Sequence, residues 1–363
     1  MQTYPIKSYS KADLTQLAAE RWFWQIPNLP FDRLRLQQYL KNPNAAEDDI
    51  LWLFAQEEQR IIAYMGLIPD QVLLAGVPRK FCWFTSWWVD ESYRGTGLGD
   101  ALVHKGFELY PLAAVNSGTP ISIGKVLRHF DMQKYCARPR CYYQLNLNAR
   151  VLQDFGIHHR LLHNVLPLIQ PLLSVVMKAR LKAWQKRFHV DGIQVEYLVT
   201  PDQESLSFLQ SFWKHDFAFK TEASFAWRIH NLVQSPRLKG IEAVPRTYFG
   251  NPGFALQNLN LKLVFKDEMI AYLNLVIADA VLKFPYFYLK PGYEQHFVSW
   301  LADVVYANGI QAIYSQHPFL VALLRQYRFP KLVPKSYPMP VVISKPLAQL
   351  EPGKIVQDGD GAF

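Results

Sequence analysis

Residues 94–99 read Arg94-Gly-Thr-Gly-Leu-Gly99. They lie between Phe81-Cys-Trp-Phe-Thr-Ser-Trp-Trp-Val89, an aromatic and β-branched run typical of a strand, and Asp100-Ala-Leu-Val-His-Lys-Gly-Phe-Glu-Leu109, patterned as a helix. Alternating glycines at a strand-to-helix turn let backbone N–H groups converge on an anion at the helix N-terminus. A Walker-type loop needs Gly-Lys-Ser/Thr at its end, and Gly99 is followed by Asp100. The dinucleotide fingerprint needs G-x-G-x-x-G, a register that position 100 breaks. What remains is Arg-x-x-Gly-x-Gly behind a strand ending Trp87-Trp88-Val89.

Working outward, residues 1–150 alternate between helical and strand patterns. A short strand at Ile6–Tyr9 leads to a helix capped by Ser10, and Asp32 opens a second helix stopped by Asn42-Pro43. Strands follow at Leu51–Ala55 and Ile61–Ile68, then Val72–Val77 and Phe81–Val89, each pair joined by a tight turn. After the glycine loop and its helix come a strand at Leu112–Asn116, a helix at Ile121–Met132 and a strand at Tyr142–Leu147. Residues 191–347 repeat this order without residue identity. Strands are expected at Leu261–Phe265, Met269–Ile277, Val281–Tyr288, Ile310–Ser315 and Pro340–Ser344, with helices at Tyr293–Ala307 and Pro318–Tyr327. The repeated order reads as a degenerate internal duplication. Residues 151–190 show only helical spacing, with Pro167 and Pro171 expected to kink or divide the helix. The residues from 348 onward read as a flexible tail.

At 363 residues, half of them hydrophobic, the chain has material for two cores. The net charge of +9 is uneven: residues 151–190 hold six basic residues against one acidic, while residues 191–363 hold 16 against 15. A local basic arm fits this better than a broad DNA-binding face. Cys82, Cys136 and Cys141 match no metal or disulfide framework, so no metal is expected, and a reducing, cytoplasmic setting fits. The N-terminus lacks the pattern of a secretory signal.

The loop, together with the elements around it, resembles the GNAT acyltransferase superfamily over roughly residues 1–148. The resemblance implies an α/β (α+β) fold of two GNAT-like domains, each a mixed, mainly antiparallel sheet flanked by helices. The domains span 1–150 and 191–347, joined by a basic helical linker over 151–190. It implies that acetyl-CoA or another acyl-CoA is the cosubstrate. Its diphosphate would sit on Arg94, Gly95, Thr96, Gly97, Leu98 and Gly99, with Trp88 and Val89 offering backbone groups to the pantetheine arm. Direct transfer to an amine needs a base and a group polarising the thioester. Glu91, Asn116 and His129 are the candidates. Each also has a plainer reading, Glu91 as a solvated loop carboxylate and His129 as a helix-surface residue. The helix that carries a tyrosine in the family has Phe130 there, which cannot donate a proton. Tyr135 could stand in only by turning back to the cleft. In the second half Lys290-Pro-Gly-Tyr-Glu294 stands where the loop should be, and Pro291 removes an amide, so this half is not expected to bind coenzyme A.

The expected acceptor is an amine of a small molecule, glycan or peptide, with no acceptor-pocket motif to choose among them, and the chain is expected to be a monomer or homodimer. Two other readings remain: an aminoacyl-tRNA-dependent peptidyltransferase-like enzyme, suggested by the duplication and basic arm, and a non-catalytic scaffold or sensor. Apolar residues 161–177 followed by basic 178–187 also allow a peripheral membrane contact.

Overall fold

The computed structural model describes residues 4–116, 118–146, 160–230, 257–278 and 280–361. The chain forms two compact units. One comprises Met1–Ala137, Trp213–Phe254 and Met339–Phe363, the other Arg138–Phe212 and Ala255–Pro338. The boundaries expected at 150 and 191 run in chain order, whereas these units interleave.

In the first unit, β1 (Ile6–Ser10), β2 (Ile50–Glu57), β3 (Arg60–Leu74) and β4 (Val77–Val89) form an antiparallel meander. The β3–β4 turn places both Ala75 and Gly76 at positive φ, as the twist of a two-residue hairpin requires. Next to β4 lies the parallel β5 (Ala113–Val115), and β12 (Val333–Ser344) pairs antiparallel with β5. The second unit has the same order: β7 (Ile193–Leu198), β8 (Gln257–Phe265), β9 (Glu268–Ala278) and β10 (Val281–Leu289) run antiparallel, with β11 (Ala312–Ser315) parallel to β10. Its sixth strand, antiparallel to β11, is β6 (Met132–Gln144). Thus β6 starts in the first unit and ends in the second, and β12 does the reverse. The expected strands at 142–147 and 340–344 caught only the ends of these two. Lys134, Arg138, Pro139 and Arg140 hide β6, because charge and proline read as loop.

Local chemistry sets the helix starts. Ser10 and Asp13 form a capping box on α1 (Lys11–Ala19), and Asp32 accepts from the Arg35 N–H on α2 (Arg33–Leu40) at 2.8 Å. Thr119 and Ser122 cap α4 (Pro120–His129), whose first residue is proline. Strand alternation divides the side chains of β4. Phe81 and Trp83 join the core beneath α1 and α2, while Cys82 and Phe84 join the core beneath α3 (Leu98–Leu109). Gly106 lets α3 approach closely, since a Cβ there would stand 2.6 Å from the Met65 side chain.

The segment expected as a linker is one helix, α5 (Arg160–Phe188), and its prolines do not divide it. Pro167 and Pro171 are four apart, so both missing donors fall on one face of the helix. Met177, Leu181 and Trp184 of α5 enter the second unit's core beside α8 (Glu294–Ala307). The tail expected to be flexible is also packed: Val356, Gln357 and Asp360 are buried in the first unit. Residues 147–159, including His158 and His159, lie outside the described residues.

Candidate functional site

Strands β4 and β5 pair only at Cys82↔Ala113 and Trp83↔Ala114, yet β4 continues to Val89. Beyond Trp83 its β5-facing edge has no strand partner among the described residues. Within this free stretch the β3 ladder slips: Thr85 faces Gly66 and Trp88 faces Tyr64, so Ser86 and Trp87 together oppose Met65. Ser86 takes a φ of +49° to make this bulge, an unfavourable conformation for serine held by the surrounding core. Nothing in the local sequence marks Ser86, since a bulge is set by the pairing of two strands.

After Val89 a short 3-10 turn over Glu91–Tyr93 leads to the loop. Gly95 and Gly97 have φ of +87° and +86°, and Gly97 is the N-cap of α3. No side chain caps this helix, in contrast to α1, α2 and α4. The N–H groups of Leu98, Gly99 and Asp100 therefore have no intrahelical acceptor at the positive end of the helix dipole, and the helical ladder begins with the Ala101 N–H on the Gly97 carbonyl at 3.0 Å. A Cβ built on Gly95 or Gly97 would meet nothing within 4 Å, so this surface is open. The residues fit a bound diphosphate: an uncapped amide cluster, an open approach and a nearby guanidinium.

That guanidinium, on Arg94, lies 3.1 Å from the Glu91 carboxylate, and both side chains are mostly exposed. Glu91 is thus the ion-pair partner of Arg94 at the loop. His129 is exposed in the last turn of α4. Asn116, following β5, is buried, and its amide donates to the Asp360 carbonyl. The three candidate catalytic residues thus have three different settings. Tyr135 does not turn to a cleft: its hydroxyl donates to the Glu351 carbonyl and accepts from the Lys354 N–H, at 3.1 and 3.2 Å. Phe130 packs its ring against Phe107 and His104. Trp88 and Val89 pair with Tyr64 and Ala63 of β3, and the Trp88 ring stacks on Tyr64 at 5.0 Å.

A buried ionic network in the first unit was missed by sequence reading. Asp70 of β3 accepts from Trp83 Nε1 at 2.9 Å and from Arg228 on α7 (Glu222–His230). Burial pushes the Asp70 carboxyl above its usual range, and Arg228 pulls it partway back. Lys220 contacts Asp216 at 2.8 Å and Asp360 at 3.4 Å, all three with almost no exposed side-chain surface. Gln357 donates to both carboxylates. This network and Asn116 fasten the C-terminal segment into the unit that carries the glycine loop.

The corresponding loop of the second unit is closed. Gly292 keeps a φ of +91°, but its N–H donates to Glu294 Oε1 at 3.2 Å, placing a carboxylate where an anion would bind. Further on, His317 caps α9 (Pro318–Gln326) by accepting the Leu320 N–H on Nδ1 at 3.4 Å. Burial, helped by the charge of Arg138, pushes its pKa down to about 3.

Residues 12–113 match the model of the acetyltransferase (GNAT) family. The first unit carries a GNAT domain. The whole chain shares its fold with solved GNAT structures at low identity. A GCN5-related N-acetyltransferase from Anabaena variabilis matches at a TM-score of 0.53 and 10% identity, over 94% of this chain and 72% of that one. A probable N-acyltransferase from Enterococcus faecalis matches at 0.50 and 9%, over 94% and 72%. N-myristoyltransferase from Saccharomyces cerevisiae, solved with bound myristoyl-CoA, matches at 0.52 and 11%, over 95% and 83%. No curated protein matches the sequence. The GNAT match ends at the start of β5 and includes the whole glycine loop. Among the described residues no cluster of metal-ligating side chains occurs, and no helix is long and apolar enough to cross a membrane.

Proposed function

We propose that this chain is an acyl-CoA-dependent N-acyltransferase that moves the acyl group directly to an amine acceptor. The carrying observation is the uncapped N-terminus of α3 behind Gly95 and Gly97, next to the free edge of β4. The amides of Gly95 to Gly99 and Arg94 take the diphosphate, and the backbone of Trp88 and Val89 beyond the bulge takes the pantetheine arm. Acyl-CoA supplies the activated thioester. The neutral amine nitrogen attacks its carbonyl carbon, and the C–N bond forms as the C–S bond breaks. One proton leaves the nitrogen and one is taken up by the departing sulfur. The second unit, with Glu294 on its loop amide, leaves coenzyme binding to the first. The matching element orders of the two units, each with a parallel fifth strand and a proline-led helix after it, support an origin by duplication.

Calorimetric titration with acetyl-CoA and myristoyl-CoA tests this. At least one thioester should bind the wild-type chain, and Gly97→Asp, which adds bulk and a negative charge, should abolish binding. Binding of neither thioester, or equal binding to Gly97→Asp, overturns the assignment.

A further inference from the structure

Helix α5 leaves an apolar stripe uncovered. Leu168, Leu172 and Val175 are 79%, 65% and 63% exposed, with Ile169 and Val176 beside them. Spacings of three and four put these side chains on one side of the helix. The opposite side, through Met177, Leu181 and Trp184, is taken by the second unit's core. Isolated exposed leucines need no explanation, whereas a contiguous apolar stripe marks a binding surface.

The same outward side changes character along the helix. At a turn of 100° per residue, Lys182 and Lys186 continue the line of Leu168, Leu172 and Val175, with Lys178 and Arg187 flanking it. All four basic residues are exposed. From Leu168 to Arg187 this face is about 30 Å long. Its first half is apolar and its second half cationic.

We infer that this face of α5 docks the protein on an anionic lipid bilayer, the apolar half entering the acyl boundary and the basic half meeting the headgroups. Charge complementarity selects this occupant. A nucleic acid would use the lysines and leave the leucines in water. A second copy aligned in parallel would bring the lysines against one another, and an antiparallel copy covering the apolar half would leave the basic half without counter-charge. α5 does not qualify as a membrane-crossing helix, and its two-part face suits a helix lying in the interface. The inference is independent of the acyl-transfer reading.

The full chain should co-sediment at low salt with phosphatidylcholine vesicles containing phosphatidylglycerol, and much less with phosphatidylcholine alone. Leu172→Glu/Val175→Glu should lower the partition at least tenfold, because two buried apolar side chains are lost. Lys182→Gln/Lys186→Gln should lower it about fivefold per residue, and added salt should mimic that loss. Both variants alter exposed positions, and unchanged circular dichroism shows that they fold. No sedimentation with anionic vesicles overturns the inference, as does a partition that either folded variant leaves unchanged. A concentration-dependent dimer abolished by Leu172→Glu/Val175→Glu, without vesicle binding, assigns the face to a second copy and overturns it too.

Discussion

The side-chain amide of Asn116 donates to the backbone carbonyl of Asp360, 244 positions later in the chain. Asn116 directly follows β5, the strand paired with the glycine loop's own strand at Cys82 and Trp83, so the C-terminal segment is held beside that pair. Asn116→Ala should leave the Asp360 carbonyl buried without this donor, at a cost of about 1–3 kcal/mol. Hydrogen exchange over residues 355–361 should rise in this variant while β1–β3 stay protected. Equal protection of the segment in both proteins would show that the other contacts suffice. Gly361→Val should loosen the same segment, because Gly361 has a φ of +64° and a Cβ there would stand 2.8 Å from the Trp83 ring.

Arg228 and Asp70 form an ion pair cut off from solvent, so removal of one partner strands the other. Arg228→Ala should destabilise the first unit by about 3–5 kcal/mol. Chemical denaturation followed by fluorescence reads the loss, with Trp83 bonded to the same carboxylate. Removing the charge from both partners, as Arg228→Met with Asp70→Asn, should recover part of it. A double variant no better than Arg228→Ala would mean that packing around the guanidinium, rather than its charge, carries the cost.

Glu91 separates two roles by the sign of its effect. As the exposed partner of Arg94 it restrains a guanidinium that should serve the diphosphate. Glu91→Gln should therefore leave turnover nearly intact and tighten coenzyme A binding, by up to about fivefold given the modest strength of exposed ion pairs. As a general base, its loss would cut turnover about 100-fold or more. Steady-state rates and calorimetry on the same variant decide between the two.

His317 makes stability depend on pH. Its ordinary value is 6.5 and its folded value about 3, so below 6.5 the unfolded chain binds the proton that the folded one refuses. The stability that this residue contributes is complete above 6.5 and falls as the pH drops towards 3, with a slope approaching about 1.4 kcal/mol per pH unit. His317→Asn keeps a residue able to cap α9 and should flatten the denaturation midpoint against pH between these limits. An unchanged slope would place the titration elsewhere.

Local signals were legible in the sequence. Ser10, Asp32 and the glycine loop act within a few residues, and their physics is written in neighbouring side chains. Long-range pairing was not. That Val342 would lie against Val115, or Tyr142 against Tyr314, depends on contacts that no window of sequence contains. The ionic network was hidden for a different reason: Asp70, Lys220 and Arg228 belong to residue types ordinarily found at the surface, and only mutual pairing makes their burial tolerable. The tail looked flexible because Gln357-Asp-Gly-Asp-Gly361 is polar and glycine-rich, yet those polar groups are what fasten it.

The exchange of β6 and β12 has a consequence for how the protein is made. The GNAT unit lacks its sixth strand and its C-terminal plug until residues 339–361 have left the ribosome. At translation rates of about 5–20 residues per second, the two hundred residues separating Ala137 from Met339 keep it waiting for roughly 10–40 s. During that interval the edge of β5 that β12 will occupy is unpaired, and an unpaired edge invites association with other chains. Of the two units, the one that carries the glycine loop begins earlier along the chain and is completed later.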